Sequence, residues 1–278
     1  MTILITGSRG GIGAGLVHRL HTSGYDVRAA SRAPEKAAPP AGVTAVPLDL
    51  ADATTFAPAL AGVSSMFLYA DPTGIDELLD AAVSAGVRRV VLLSSDSVNL
   101  PNAEHSALAR HHLLVERALR AAPLTSTVLR PGGFATMTLG WAESIRAGAP
   151  VEQGYPEARL DVIHPDDIAD VAELALTTHT LDDETISLGG PEVLGFRDQA
   201  RILGELLNRE IELREAAPEQ AAARLGSHVP APLVAAVLDY WAQLSDGRCE
   251  ASRSAEPITG RPGRTFRQWA TENLASFR

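Results

Sequence analysis

Gly7, Gly10 and Gly13 recur at intervals of three between an apolar run, Ile3-Leu4-Ile5, and a segment carrying Leu16, Val17 and Leu20 at helical spacing. This reads as a strand, a tight turn and a helix start. In that arrangement the stretch Gly7-Ser8-Arg9-Gly10-Gly11-Ile12-Gly13 brings its backbone amides around a pyrophosphate at the positive end of a helix. A second strand over 26–30 closes on Ser31-Arg32, roughly 20 residues past the turn, where a dinucleotide-binding unit reads the adenosine ribose. An acidic residue there would hold the 2′-OH of NAD. A small polar residue followed by arginine suits the 2′-phosphate of NADP instead. Arg9 either reaches the same phosphate or stays solvated. Asp49 and Leu50 follow a third strand over 43–47, where Asp49 can face the adenine edge or cap the helix beyond Thr54.

Other residues carry chemistry further along. His112 and Glu116 lie one turn apart on a helix over 104–121, either as an imidazole with its orienting carboxylate or as a core histidine beside a helix-face glutamate. Pro131-Gly132-Gly133-Phe134 follows a strand over 125–130, at the kind of carboxyl end where open α/β sheets place ligands. His164-Pro165-Asp166-Asp167 has the chemistry of a capped helix start.

The elements that position these residues alternate. Strands at 3–5, 26–30, 43–47, 66–70, 89–93 and 125–130 are separated by amphipathic helical patterns, which specifies a parallel, doubly wound α/β sheet. The fourth strand, ending on Ala70, is a continuous apolar run. Beyond residue 135 the alternation becomes irregular, with short strands at 160–163, 184–188 and 210–214, a helix at 196–207, and a stripe of Val234, Val237, Leu238 and Trp241. Residues 1–150 therefore read as the nucleotide-binding domain, and 151–278 as a smaller mixed α/β lobe that shares elements with it and lies over the sheet's carboxyl edge.

A net charge of −10 and a pI near 5.3 argue against nucleic acid or an anionic membrane as the main partner. The single cysteine, Cys249, cannot close an intramolecular disulfide and reads as an inert thiol in a reduced, cytoplasmic setting, with no metal site implied. No run approaches the ~20 apolar residues of a membrane span, and no leader is expected. Lys36 is the only lysine.

Four segments carry a family resemblance: Thr6-Gly7-Ser8-Arg9-Gly10-Gly11-Ile12-Gly13, Val27-Arg28-Ala29-Ala30-Ser31-Arg32, Leu129-Arg130-Pro131-Gly132-Gly133-Phe134, and Ile163-His164-Pro165-Asp166-Asp167-Ile168-Ala169-Asp170-Val171-Ala172. Gly189-Gly190-Pro191-Glu192 and Thr259-Gly260-Arg261-Pro262 add to it. The chain resembles the atypical short-chain dehydrogenase/reductases of the NmrA-like group, including their triphenylmethane- and quinone-reducing members. The resemblance implies a Rossmann-type sheet binding NADP(H) through the glycine turn, Ser31, Arg32, Asp49, Leu50, Ala70, Pro131, Gly132 and Phe134. It also implies a small aromatic or quinone-like substrate and a monomer or homodimer.

Short-chain dehydrogenases generally pair a tyrosine with a lysine four residues on, the ammonium lowering the phenol's pKa. Aligning Glu116 with the family glutamate puts Leu108 and His112 at those two positions, so the pair is absent. The expectation is an NADPH-dependent reductase that delivers hydride to a conjugated acceptor without that dyad. His112 would then approach the nicotinamide ribose, Ser95 and Ser97 would orient a substrate oxygen, and Tyr155 would supply a proton. The alternatives are an NADP(H)-sensing regulatory protein that catalyses nothing, and a non-redox isomerase or cyclase on the same scaffold.

Overall fold

The computed structural model describes every residue except Asn102, Ser227, His228 and 246–254; Cys249 therefore lies outside the described residues. Strands β1 (Thr2–Ile5), β2 (Asp26–Ser31), β3 (Thr44–Pro47), β4 (Val63–Tyr69), β5 (Arg89–Leu93) and β6 (Thr125–Pro131) come first. They alternate with helices α1 (Gly11–Thr22), α2 (Phe56–Leu60), α3 (Ile75–Ser84) and α4 (Ala107–Ala121). There follow α5 (Ala142–Arg146), β7 (Val151–Gln153), β8 (Arg159–Asp161), α6 (Pro165–Thr177), β9 (Thr185–Leu188), β10 (Val193–Gly195), α7 (Phe196–Leu207) and β11 (Leu213–Glu215). The chain ends with α8 (Pro218–Leu225), α9 (Ala231–Gln243), α10 (Glu256–Thr259) and α11 (Phe266–Glu272).

Seven strands form one sheet in the order β3-β2-β1-β4-β5-β6-β9. Each pair from β3 to β6 is parallel. β9 joins in the same sense, because Val128 N–H donates to Glu184 and Gly132 N–H to Leu188, so the two chains advance together. The strand order reverses between β1 and β4, which makes the glycine turn after β1 the switch point of a doubly wound, Rossmann-type fold. β5 is buried at every position, the apolar-run signature of a strand covered on both faces.

The chain forms two compact units. The first comprises 1–98, 109–130 and 168–187, and the second 99–108, 131–167 and 188–278. Where the sequence suggests one cut near residue 150, the backbone passes between the units repeatedly. The first unit packs a core of Leu4, Met66, Leu78, Val90, Leu92 and Val115 under one face of its sheet. The start of the interior strand β5 is tied by charge to the segment between α6 and β9: Arg89, 8% exposed, is held by Asp182 and His179. The second unit has its own core around Trp141, Phe196, Trp241, Phe266, Trp269 and Phe277. It is braced by two small sheets, antiparallel β8–β10 and parallel β7–β11. All four residues of the stripe Val234, Val237, Leu238 and Trp241 are buried in it. No described helix is long and apolar enough to cross a membrane.

Candidate functional site

The turn after β1 is shaped by what its glycines lack. Gly7 has φ +58°, and a Cβ on Gly13 would stand 2.4 Å from the Gly7 carbonyl oxygen, so any side chain there would force the turn open. Helix α1 begins at Gly11 with Gly10 as its cap; no side chain caps it and no acid lies in its first turn. Its leading amides and positive dipole end therefore present a site suited to an anion. Ser8 is buried, its hydroxyl donating to the Ala30 carbonyl at 2.9 Å, which joins the turn to the end of β2.

At that end, Ser31 Oγ is buried without a hydrogen-bond partner, and Arg32 is exposed. Beside the turn lies a cavity of about 360 Å³ lined by Ser8, Arg9, Val17, Ala29, Lys36 and Pro40, among others. Arg9 and Lys36 supply it with two cations and no acid is among its walls. Lys36 went unnoticed as a binding residue in the sequence because it sits in a Pro/Ala-rich loop. An orphaned hydroxyl, two cations and a turn that closes only with glycine fit a phosphorylated dinucleotide.

Asp49 does not cap the following helical turn. Asp52 does, accepting the Thr54 N–H at 3.0 Å, while Asp49 accepts the Ala51 N–H at 3.1 Å in its own local turn. Leu50 is half-buried next to it. Ala70 hands its N–H to Leu93 and its carbonyl to His111 Nε2 at 3.0 Å.

The pairing of His112 with Glu116 is not formed. Glu116 is completely buried and belongs to Arg130, whose Nε and Nη2 donate at 3.0 and 2.6 Å, and to Ser94, whose Oγ donates at 2.6 Å. Burial pushes this carboxyl up, but the hydrogen bonds from Arg130 and Ser94 and the charges of Arg130 and Arg120 outweigh it and hold it below the usual range. The knot ties α4 to the ends of β5 and β6. His112 instead lies edge-on to His111, ring centres 5.4 Å apart, with Nδ1 buried and unpartnered. Burial, then the charge of His111, lower its pKa to about 4 against a smaller opposing pull from Glu116. It is a neutral ring at pH 7. Nearby, Ser95 Oγ donates to Ser97 Oγ at 3.0 Å and accepts the Ser97 N–H at 3.2 Å.

In the second unit, Gly132 packs closely against a buried carboxylate. A Cβ there would fall 2.0 Å from Asp161 Oδ1, and one on Gly189 would fall 2.2 Å from Oδ2, so the two glycines flank a carboxylate that is 3% exposed. Pro131 is buried beside it. Phe134 opens instead onto a cavity of about 400 Å³ whose walls include Met137, Trp141, Phe196, Leu225 and Trp241. The rings are set edge to face, Trp141 to Phe196 at 6.0 Å and Phe196 to Trp241 at 5.1 Å. Buried Gln153 fixes the indole by accepting its Nε1–H at 3.0 Å. The charged part of the wall is Glu152 and Arg224, 3.6 Å apart. Tyr155 is not among the lining residues; it has φ +53° and is packed against the unit's core.

His164, Asp166 and Glu272 come close enough to resemble a metal-ligand set. The ring nitrogens of His164 are already engaged: Nδ1 accepts the Asp166 N–H at 3.0 Å, which leaves Nε2–H to donate to Glu272 at 3.0 Å. The imidazole is therefore the cap of α6.

A parallel sheet with a glycine turn at its switch point, an anion-ready helix start and a cationic cavity at the end of the second strand define a dinucleotide-binding α/β protein. The NAD(P)H-binding family matches residues 7–179. The (4-alkanoyl-5-oxo-2,5-dihydrofuran-3-yl)methyl phosphate reductase of Streptomyces griseus is 33% identical over 99% of both chains. The NAD(P)H azoreductase of Xenophilus azovorans is 28% identical, also over 99% of both. Among solved structures, an NADPH-dependent quinone oxidoreductase from Escherichia coli superposes with a TM-score of 0.80 at 22% identity, covering 99% of this chain and 100% of that one. The chain belongs to the NAD(P)H-binding family and is an NAD(P)H-dependent oxidoreductase.

Proposed function

We propose that the protein is an NADPH-dependent reductase that passes hydride to a conjugated, electron-poor small molecule such as a quinone, an enone or an extended aromatic. The observation that carries this reading is the aromatic-walled cavity of about 400 Å³ in the second unit, a size typical of small-molecule sites and one suited to a flat, delocalised ligand. Leu108 and His112 occupy the positions of the dehydrogenase tyrosine and lysine, and a histidine held neutral with a pKa of about 4 is a poor proton donor at pH 7. A conjugated acceptor makes that tolerable, because the electron pair delivered with hydride spreads over the conjugated system and the proton can follow from water. The Streptomyces relative is named for a dihydrofuran bearing 5-oxo and 4-alkanoyl groups. Hydride arriving at such a ring leaves a carbanion shared between two carbonyls.

When bound, NADPH supplies the hydride. The chain's own residues bind and orient. The amides of Gly11 and Ile12 hold the pyrophosphate, that of Gly10 being given to the Gly7 carbonyl, and Ser31, Arg32, Arg9 and Lys36 select the 2′-phosphate, with Asp49 and Leu50 at the adenine. His112, with its orphaned Nδ1, takes a hydroxyl of the nicotinamide ribose. The Ser95–Ser97 pair is the candidate for orienting the acceptor's oxygen, and the proton follows from water, since Tyr155 lies outside the lining of the aromatic cavity. Trp141, Phe196 and Trp241 exclude water and stack the acceptor.

NADPH oxidation against a panel of quinones, enones, azo compounds and cationic dyes tests the proposal. Turnover confined to conjugated acceptors is expected. Micromolar NADPH binding with no turnover on any of them would replace the reductase with an NADP(H) sensor.

A further inference from the structure

Tyr69, the last residue of β4, stands against the glycine turn in a way the shared fold does not require. Its ring lies on Gly7, where a Cβ would come within 2.5 Å of Cδ2, and edge-on to Phe67 at 5.5 Å. Its backbone N–H is anchored on Thr6 Oγ1 at 3.1 Å. The ring is thus gripped by the strand beside it and by the first residue of the turn. Its hydroxyl reaches under the start of α1 and accepts the Gly13 N–H at 3.2 Å, and a Cβ on Gly10 would lie 3.5 Å from the same oxygen.

Gly13 is the third residue of α1, so its amide is one of those an α-helix leaves without an internal partner; the first intrahelical bond, Ala14 N–H to Gly10, begins one residue later. The phenol satisfies it. A phenol oxygen that accepts still has its own O–H to give. Among the described residues Tyr69 Oη has no partner other than Gly13. Burial pushes its pKa up, against a smaller pull from the Gly13 amide, so it remains a protonated donor at any physiological pH.

We propose that Tyr69 is a pyrophosphate-binding residue: its oxygen takes the Gly13 amide, and its O–H donates to a phosphate oxygen held by the neighbouring amides of the turn. It does the work of a bridging water, built into the chain and held in place by its ring. This rests on the dinucleotide site and is independent of which acceptor is reduced.

The test compares the wild type with Tyr69→Phe, which keeps the ring on Gly7 and removes only the hydroxyl. Dissociation constants are measured calorimetrically for NADPH, for 2′-phospho-ADP-ribose, and for adenosine 2′-monophosphate, which lacks the pyrophosphate. Tyr69→Phe is expected to weaken the first two about equally, by roughly tenfold, the worth of a hydrogen bond to a charged group at the low end of its range. Adenosine 2′-monophosphate binding should not change, while the unfolding temperature without nucleotide falls by a few degrees because the Gly13 amide loses its acceptor. Unchanged binding of all three ligands would make Tyr69 a spacer and overturn the proposal. Tighter binding of the pyrophosphate ligands would overturn it differently, showing that the phenol competes for the Gly13 amide. Equal weakening of all three would trace the effect to the turn's shape.

Discussion

Replacing His112 by leucine tests whether its imidazole is buried neutral. In the fold its proton is released at about 4, chiefly because burial disfavours the cation, whereas an imidazole in the unfolded chain titrates near its ordinary 6.5. As pH falls from 6.5, the unfolded chain takes up the proton first and is stabilised relative to the fold. Stability is therefore complete above about pH 6.5 and declines until the folded ring protonates near pH 4. At 1.36 kcal/mol per pH unit, that interval is worth at most about 3 kcal/mol.

The charged and titratable groups facing the ring are His111 and Glu116, and the carboxyl of Glu116 is held below its usual range by Arg130 and Ser94. Urea unfolding at half-unit steps from pH 7.5 to 4.5 should give a wild-type curve that falls more steeply than that of His112→Leu, the gap widening towards the acid end by about 2–3 kcal/mol. Parallel curves would mean that the ring is solvated or already charged, and the reasoning would fail. With a productive acceptor, His112→Ala should lower turnover by a larger factor than its modest thermal destabilisation explains. The opposite pattern would return the ring to the core.

Arg32→Ala should reduce the preference for NADPH over NADH about tenfold or more, with Lys36→Ala producing a smaller change of the same sign; an unaltered affinity ratio would refute the 2′-phosphate assignment. Glu116→Gln leaves Arg130 without its buried counter-ion and should cost about 3–5 kcal/mol in urea unfolding at pH 7.5. Gly13→Ala drives a methyl onto the Gly7 carbonyl and should abolish measurable dinucleotide binding, checked by NADPH fluorescence.

Much of the first unit was legible because its central strands β4 and β5 are largely buried and stand out as mainly apolar runs between amphipathic helices; β5 falls on 89–93 as read. The glycine turn was legible for the same local reason, since strand, glycines and helix are contiguous. What escaped depends on groups brought together from afar. The helical spacing of His112 and Glu116 suggested a couple, but Glu116 found Arg130 and Ser94 at strand ends. Asp49 and Asp52 carry equal capping credentials, and only the path of the backbone gives Thr54 to the second. The close packing of Gly132 on Asp161, its neighbour across the fold, is likewise invisible in one dimension. The 210–214 strand became Leu213–Glu215 because a three-residue strand carries almost no periodicity. Tyr69 reads in sequence only as part of the apolar fourth strand, and Phe196 only as the start of a helix.

Every residue lining the aromatic cavity belongs to the second unit: Phe134 to Trp141, Glu152 to Gly154, Phe196, and the helical segments around Ala221 and Trp241. None is shared with the glycine turn or with the cations at the end of β2. Selection can therefore re-line the chamber one residue at a time while the nucleotide machinery stays untouched, much as a tool takes a new bit on an old handle. On the reading proposed above, that separation lets proteins matching this chain along nearly their whole length be named for acceptors as different as a dihydrofuranyl methyl phosphate and an azo compound.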